Sequence, residues 1–182
     1  MAADDELIQE AFRTAMRRVA NTVTIVSVQS GAERHGTTAT SVTSISMEPP
    51  SILICFNKTS RLRRFLTNED RFCVNVLHTD NLQTSKIFSS PMSGPERFAH
   101  GDWQADEFSV PYLVNAQANL FCHKEKEISY GSHTIFIGRV TGARARADIS
   151  PLLYRDGLYT SCAVLEADPA AGGERKDLNV PD

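Results

Sequence analysis

From Thr22 to Val164 the chain is a succession of short β-branched or alternating runs, and no regular helix–strand alternation separates them. Parallel strands need a crossover of a dozen or more residues between each pair, usually a helix. That pattern is missing, so an antiparallel barrel with peripheral helices suits the chain better than a doubly wound parallel sheet. Thr22–Val28 (TVTIVSV) alternates as a half-buried strand should. Ser51–Phe56 (SILICF) is a short apolar run that suits a strand buried on both faces. Arg71–Leu77, Ala116–Tyr130 and His133–Ala145 predict three more strands. Two shorter runs, Pro151–Tyr154 and Leu158–Val164, hinge at Asp156-Gly157. Ser30-Gly31-Ala32 predicts a turn, and Glu48-Pro49-Pro50 breaks the chain again.

Helical spacing is confined to a few places. Asp4 to Ala20 places Leu7, Ile8, Ala11, Phe12, Ala15, Met16 and Val19 on one face, with Asp4 or Asp5 as cap. Ser60 caps a short helix opening at Arg61, and Asp80 caps another that runs through Phe88. Ser89 to Phe108 is rich in loop signals, with one helical turn at Pro95–Phe98. Residues 1–165 form one domain in this reading. The last segment, 166–182, has almost no large apolar residues and reads as a disordered tail.

Composition excludes several classes of function. The 182 residues carry a formal net charge of -3, a poor match to nonspecific nucleic-acid binding. No apolar run approaches the roughly 20 residues that span a bilayer. The opening MAADDELIQE is acidic and polar, unlike a secretory or transit peptide, so a cytoplasmic location is expected. Cys55, Cys73, Cys122 and Cys162 stand singly, without the paired spacing of a zinc ribbon or a thioredoxin motif. Buried free thiols are expected for the three in strand-like runs. No G-x-G-x-x-G and no P-loop glycine pattern occurs.

Residues 37–46 are the most distinctive stretch. Seven of the ten carry a hydroxyl and none carries a charge. Such a run is either a Thr-rich edge strand with local hydroxyl turns or a cradle of hydroxyls and backbone N–H groups around a planar, polar-edged ligand. Asn57-Lys58-Thr59-Ser60 follows a strand and precedes a helix. Lys58 is then either a solvated loop lysine or a point charge for phosphate beside a helix start. A lone histidine such as His133, beside an apolar strand, is more often structural than functional.

The string His35–Pro50 (HGTTATSVTSISMEPP) resembles the signature of the flavin reductase-like family, which includes the reductase components of two-component aromatic monooxygenases. Three further stretches match in order. Phe12-Arg13-x-Ala15-Met16 with Thr22–Val26 resembles the family's opening helix and first strand. Phe72–Leu77 resembles its central strand, and Gly131–Val140 with Pro151–Tyr154 its later barrel strands. The family often has Gly-Asp-His where this chain has Gly131-Ser132-His133.

The resemblance covers residues 8 to 164 and implies a mainly β fold, the FMN-binding split β-barrel with Greek-key antiparallel order and peripheral helices. It implies a homodimer with NAD(P)H-dependent flavin reductase activity, supplying reduced FAD or FMN to a separate flavin-dependent monooxygenase. NADH is the expected donor, with NADPH also open. By similarity Thr38, Ala39, Thr40 and Ser41 meet the flavin ring and ribityl region, together with Ser44 and Ser46. Asn57, Lys58 and Ser60 face the flavin phosphate, and Phe88 packs near the flavin. His133 and Tyr159 contact the nicotinamide nucleotide. No metal and no catalytic acid or base is implied, because hydride transfer to flavin N5 needs no positioned protein base. Two rivals come from other classes: a flavin-binding electron carrier or sensor without NADH turnover, and an unliganded barrel used for protein interaction.

Overall fold

A computed structural model describes residues 2–163. The expected tail, 166–182, lies outside the described residues. The chain opens with α1 (Ala2–Met16), then β1 (Asn21–Thr22), β2 (Thr24–Ser30), β3 (Glu33–Ala39), β4 (Val42–Met47) and β5 (Pro50–Asn57). Next come α2 (Arg61–Asn68), β6 (Arg71–Val76), a 3-10 turn at Thr79–Asn81, α3 (Leu82–Ser89) and α4 (Gly94–Arg97). The hairpin β7 (Trp103–Ala105) and β8 (Pro111–Leu113) precedes the two longest strands, β9 (Ala118–Tyr130) and β10 (His133–Ala145). A final hairpin pairs β11 (Leu153–Arg155) with β12 (Leu158–Thr160).

Seven strands form one antiparallel sheet in the order β3-β2-β6-β9-β10-β5-β4. Its two edge strands, β3 and β4, are consecutive in the chain and joined only by Thr40 and Ser41. A connection that short spans at most about 11 Å, since each extended residue advances roughly 3.6 Å. The sheet must therefore curl until its edges nearly meet, and it becomes a barrel split along the β3–β4 seam. The Ser41 carbonyl accepts from the Cys55 N–H at 3.1 Å, and the Ala39 carbonyl accepts from the Thr24 hydroxyl at 2.7 Å. Both bonds fix the linker at the seam.

Inward positions alternate along the strands. Val26 and Val28 on β2, Ile54 on β5, Val74 on β6 and Phe136 on β10 fill the barrel, and Leu62 and Leu66 of α2 close one end. Full burial of each such side chain stabilises the fold by about 1.5–3 kcal/mol. Gly138 sits where Phe72 crosses the barrel: a Cβ there would lie 2.5 Å from Phe72 Cζ, so only glycine fits. A second cluster, with Val23, Ile25, Leu77, Phe88 and Leu113, packs α3 and β8 against the outside of β2. The three-stranded sheet β1-β11-β12 lies beside it, held by Val23 N–H to Leu152 O and Leu152 N–H to Leu77 O, both 2.8 Å.

The strand pattern is as expected, and the departures are local. The 35–46 segment divides into β3 and β4 at Thr40-Ser41. The helix expected through Ala20 ends at Met16, and its apolar face is not buried: Leu7 is 71% exposed and Phe12 65%. Asp80 is not the cap of the helix that follows it. Asn81 holds that position without a side-chain cap bond, and His78 caps the preceding 3-10 turn, its ring nitrogen Nδ1 accepting from the Asp80 N–H at 3.1 Å. The β7–β8 hairpin stands where a loop was expected. Cys73 and Cys122 are buried as expected, but Cys55 is only half-buried. Among the described residues no helix is long and apolar enough to cross a membrane.

Candidate functional site

The seam creates a cavity of about 540 Å³. Thr37 to Ser41 form one wall, Cys55, Phe56 and Asn57 of β5 the opposite one, and Ser60 an end. Because β3 and β4 are edge strands, backbone groups along the seam have no strand partner on that side. Ser85 and Ser89 of α3 come next to the β3 wall, and Tyr154, Gly157 and Tyr159 of the last hairpin complete the lining. The Tyr159 hydroxyl lies 2.9 Å from Ser85 Oγ, joining hairpin to helix. Tyr154 and Tyr159 pack edge to face with ring centroids 5.3 Å apart.

The chemistry of this lining is uniform. Hydroxyls, amide groups and a few apolar surfaces surround the space, and no Asp, Glu, Lys, Arg or His lines it. Its volume falls within the roughly 300–1,000 Å³ of small-molecule sites. Such a cavity holds a flat molecule with a polar edge and orients it by neutral hydrogen bonds. It offers no acid–base pair. Its one thiol, Cys55, has its pKa raised by burial and stays protonated at neutral pH.

The structure brings together seven of the expected residues: Thr38, Ala39, Thr40, Ser41, Asn57, Ser60 and Tyr159 all line the cavity. Five lie elsewhere. Ser44 faces a separate groove along β4, and Ser46 Oγ accepts from the Glu48 N–H in the following turn. Phe88 is fully buried in the core, against Phe98 and Trp103, and cannot meet a ligand ring. Lys58 is an exposed loop residue whose backbone N–H donates to Ser132 O at 2.9 Å. His133 is exposed at the start of β10, opposite Asn57 in register, with Nδ1 2.9 Å from Ser132 Oγ. Lys58 and His133 thus belong to the rim beside Asn57, and the Ser132 hydroxyl contacts the imidazole.

Thr37, Cys55, Ser85, Ser89 and Tyr154 line the cavity without having been singled out. Ser85 and Ser89 are four apart and so share one helix face, a spacing visible in the sequence. Cys55 gave no signal, because a thiol in an apolar run reads as core.

The sequence profile described as flavin reductase like domain matches residues 16–163. The reductase component of an FADH(2)-dependent resorcinol hydroxylase from Rhizobium sp. (strain MTP-10005) is 42% identical over 168 residues, covering 91% of this chain and 93% of the relative. An FMN reductase (NADH), RutF, from Pseudomonas syringae pv. syringae (strain B728a) is 32% identical over 146 residues, 80% of this chain and 82% of its own. Among solved structures, the NADH:FAD oxidoreductase SgcE6 of Streptomyces globisporus C-1027, in complex with NAD and FAD fragments, superposes with a TM-score of 0.79 at 30% identity. That match covers 88% of this chain and 95% of the other.

Proposed function

The chain belongs to the flavin reductase like family, and from that premise we propose how its seam cavity works. The protein is an NADH-dependent flavin reductase acting on FAD or FMN. Flavin supplies the redox chemistry by accepting a hydride at N5, and the protein supplies binding, orientation and a dry surface. The observation that carries this reading is a hydroxyl-lined cavity of about 540 Å³ with no ionisable acid or base beyond a protonated thiol and two tyrosines. Thr38, Ala39, Thr40 and Ser41 hold the polar edge of the ring and the ribityl chain. Asn57 and Ser60, with Lys58 at the rim, face the flavin phosphate. Tyr159 and His133 flank the space for the nicotinamide nucleotide. Neutral donors at the ring edge stabilise the negative charge that reduction places near N1 and C2=O. The direct test is NADH consumption by purified protein with and without FAD or FMN. Flavin-dependent consumption is expected; none with either flavin overturns the reading.

Reduced flavin then leaves for a separate oxygenase. The Rhizobium relative is the reductase component of such a system, acting on resorcinol, and an oxygenase acting on a phenolic ring is the matching partner here. The barrel, residues 1–165, carries the whole reductase activity. A reducing, cytoplasmic setting fits four unpaired cysteines.

A second copy of the chain covers the apolar face of α1. Phe12, Met16 and Val19 face Val42 and Leu53 across an open groove of about 760 Å³, and Met47 at the end of β4 is 78% exposed. An edge strand and an amphipathic helix left bare in one copy are what an isologous dimer buries. Sedimentation is expected to give twice the 20.1 kDa chain mass; a monomer at micromolar concentration contradicts the dimer.

Cys55 provides a probe of occupancy. Burial raises its pKa, so alkylation is slow at neutral pH and accelerates as the pH rises and thiolate forms. Saturating FAD is expected to slow this labelling about ten-fold or more by occupying the cavity. Labelling of exposed Cys162 is unaffected, as a mass map of the modified peptides would show. Cys122, with its pKa pushed up to about 12 by burial, and Cys73, raised well above the ordinary thiol value mainly by burial, stay unlabelled.

A further inference from the structure

The β11–β12 hairpin stands between two hollows. Tyr154 and Gly157 line both the flavin cavity and the groove of about 760 Å³ beside α1, as do Thr40 and Ser41. Only the base of the hairpin is tied firmly to the rest of the chain. Val23 and Leu77 bond the backbone of Leu152 there, and β1 pairs with β11 at Leu153 and Tyr154. Beyond Tyr154 the strand β11 pairs only with β12, and residues 154–158 are all exposed. Two side-chain contacts hold this free end down. On the inner side the Tyr159 hydroxyl meets Ser85 Oγ. At the tip Asp156 Oδ1 accepts from Arg17 Nε at 2.9 Å, and Arg18 Nη1 lies 3.8 Å from Asp156 Oδ2. Arg17 directly follows α1, so this pair joins the end of the helix to the tip of the hairpin.

The turn itself does not account for the carboxylate. Asp156 and Gly157 both have positive φ, 50° and 83°, as a two-residue type I′ turn requires, and asparagine suits the first position as well as aspartate does. Nor is the ion pair a strong brace. Its side chains are 60% and 47% exposed, and a surface pair of this kind shifts an equilibrium only about two- to five-fold. A contact of that strength suits a part that opens and closes repeatedly. We propose that the β11–β12 hairpin is a flap over the flavin cavity and that Asp156 is a positioning residue, latching the flap through Arg17. The proposal rests on the flavin reading of that cavity. Closed, the flap keeps Tyr154 and Tyr159 in the lining. Swung away from α1, it joins cavity and groove into one open channel, through which flavin enters and reduced flavin leaves.

The test is the rate at which FAD enters and leaves, followed by flavin fluorescence after rapid mixing and rapid dilution. Wild-type protein is compared with Asp156→Asn, Arg17→Gln, the double variant and Glu10→Gln. Asp156→Asn is expected to raise the entry and exit rates together, about three-fold, and to leave Kd unchanged, because the latch closes the free and the bound protein alike. Loss of an ordinary binding contact would raise the exit rate and Kd without the entry rate. Arg17→Gln is expected to act in the same direction, and the double variant to add nothing to Asp156→Asn. Raising the ionic strength from about 0.01 M to about 1 M should speed exchange more in the wild type than in Asp156→Asn. Glu10→Gln, which removes the Arg13–Glu10 pair within α1, leaves exchange unchanged. Equal exchange rates in the wild type and Asp156→Asn, or a change confined to exit and Kd, overturn the latch. Where the same preparation oxidises NADH with FAD, that result leaves the reductase reading standing; protein that binds no FAD overturns both.

Discussion

Replacement of Asn75 by leucine is expected to destabilise the protein by about 4 kcal/mol. Asn75 is fully buried in β6, where isosteric leucine would read as the better residue. Its amide joins four elements. Nδ2 donates to Ile25 O and Ser27 Oγ, both at 2.9 Å, and Oδ1 accepts from the Leu113 N–H at 2.8 Å and from Asn119 Nδ2 at 2.9 Å. Leucine would leave the Leu113 N–H buried without an acceptor and take one acceptor from Asn119. Each orphaned buried group costs about 1–3 kcal/mol. At about 2–4 °C per kcal/mol for a chain of this size, the melting midpoint should fall by roughly 8–16 °C. The exposed Asn68→Ala should move it by about 1–2 °C at most. A midpoint for Asn75→Leu within about 2 °C of the wild type would show that the network is dispensable.

The second large effect is on activity alone. Cys55→Trp places an indole inside the flavin cavity, on the wall opposite Thr38 and Ala39. The side chain enters open space rather than packed core, so the melting midpoint should stay within about 3 °C. Flavin has no room beside the indole, and kcat/KM for FAD should fall at least about 100-fold, equivalent to roughly 2.7 kcal/mol. Cys55→Ala, which only enlarges the cavity, should change it by less than about three-fold. Retained activity in Cys55→Trp would move the flavin site elsewhere. Loss in both variants would make the thiol itself functional, which a protonated, unpaired Cys55 gives no reason to expect.

The contrast between these two residues shows what the sequence makes legible. A strand that buries one face in the barrel, such as β10, announces itself by alternation, and its ends are those expected; β2, expected to be half-buried, is covered on both faces. The β7–β8 hairpin does not announce itself, because strands of three residues are too short to show a period, and polar bonds add to the apolar packing that attaches it: Asn75 and Asn119 bind Leu113, and Ser27 Oγ donates to Pro111 O at 2.6 Å. No hydrophobic period marks such an attachment. The hydroxyl-rich 37–41 stretch is legible as a site because hydroxyls without charges are unusual in a barrel strand. Its continuation, Ser44 and Ser46, is not part of the cavity. After the Thr40-Ser41 linker the chain moves to the opposite sheet edge, and β4 runs along that edge away from the pocket. Phe88 illustrates a different limit. An aromatic in the last turn of a helix has two places to go, and close approach to Gly36, where a Cβ would lie 2.9 Å from Phe88 Cε1, fixes it in the core. Tyr154 comes to the site only through the β1-β11-β12 sheet, a pairing distant in sequence.

The account's central claim is that flavin occupies the seam between β3 and β4. Amide hydrogen exchange of the full chain with and without saturating FAD tests it most directly, because it reports where protection arises. Protection should concentrate in three separated segments, 37–41, 55–60 and 154–159, while β7 and β8 stay unchanged. FAD binding that protects other segments and leaves 37–41 and 55–60 as they were would contradict it.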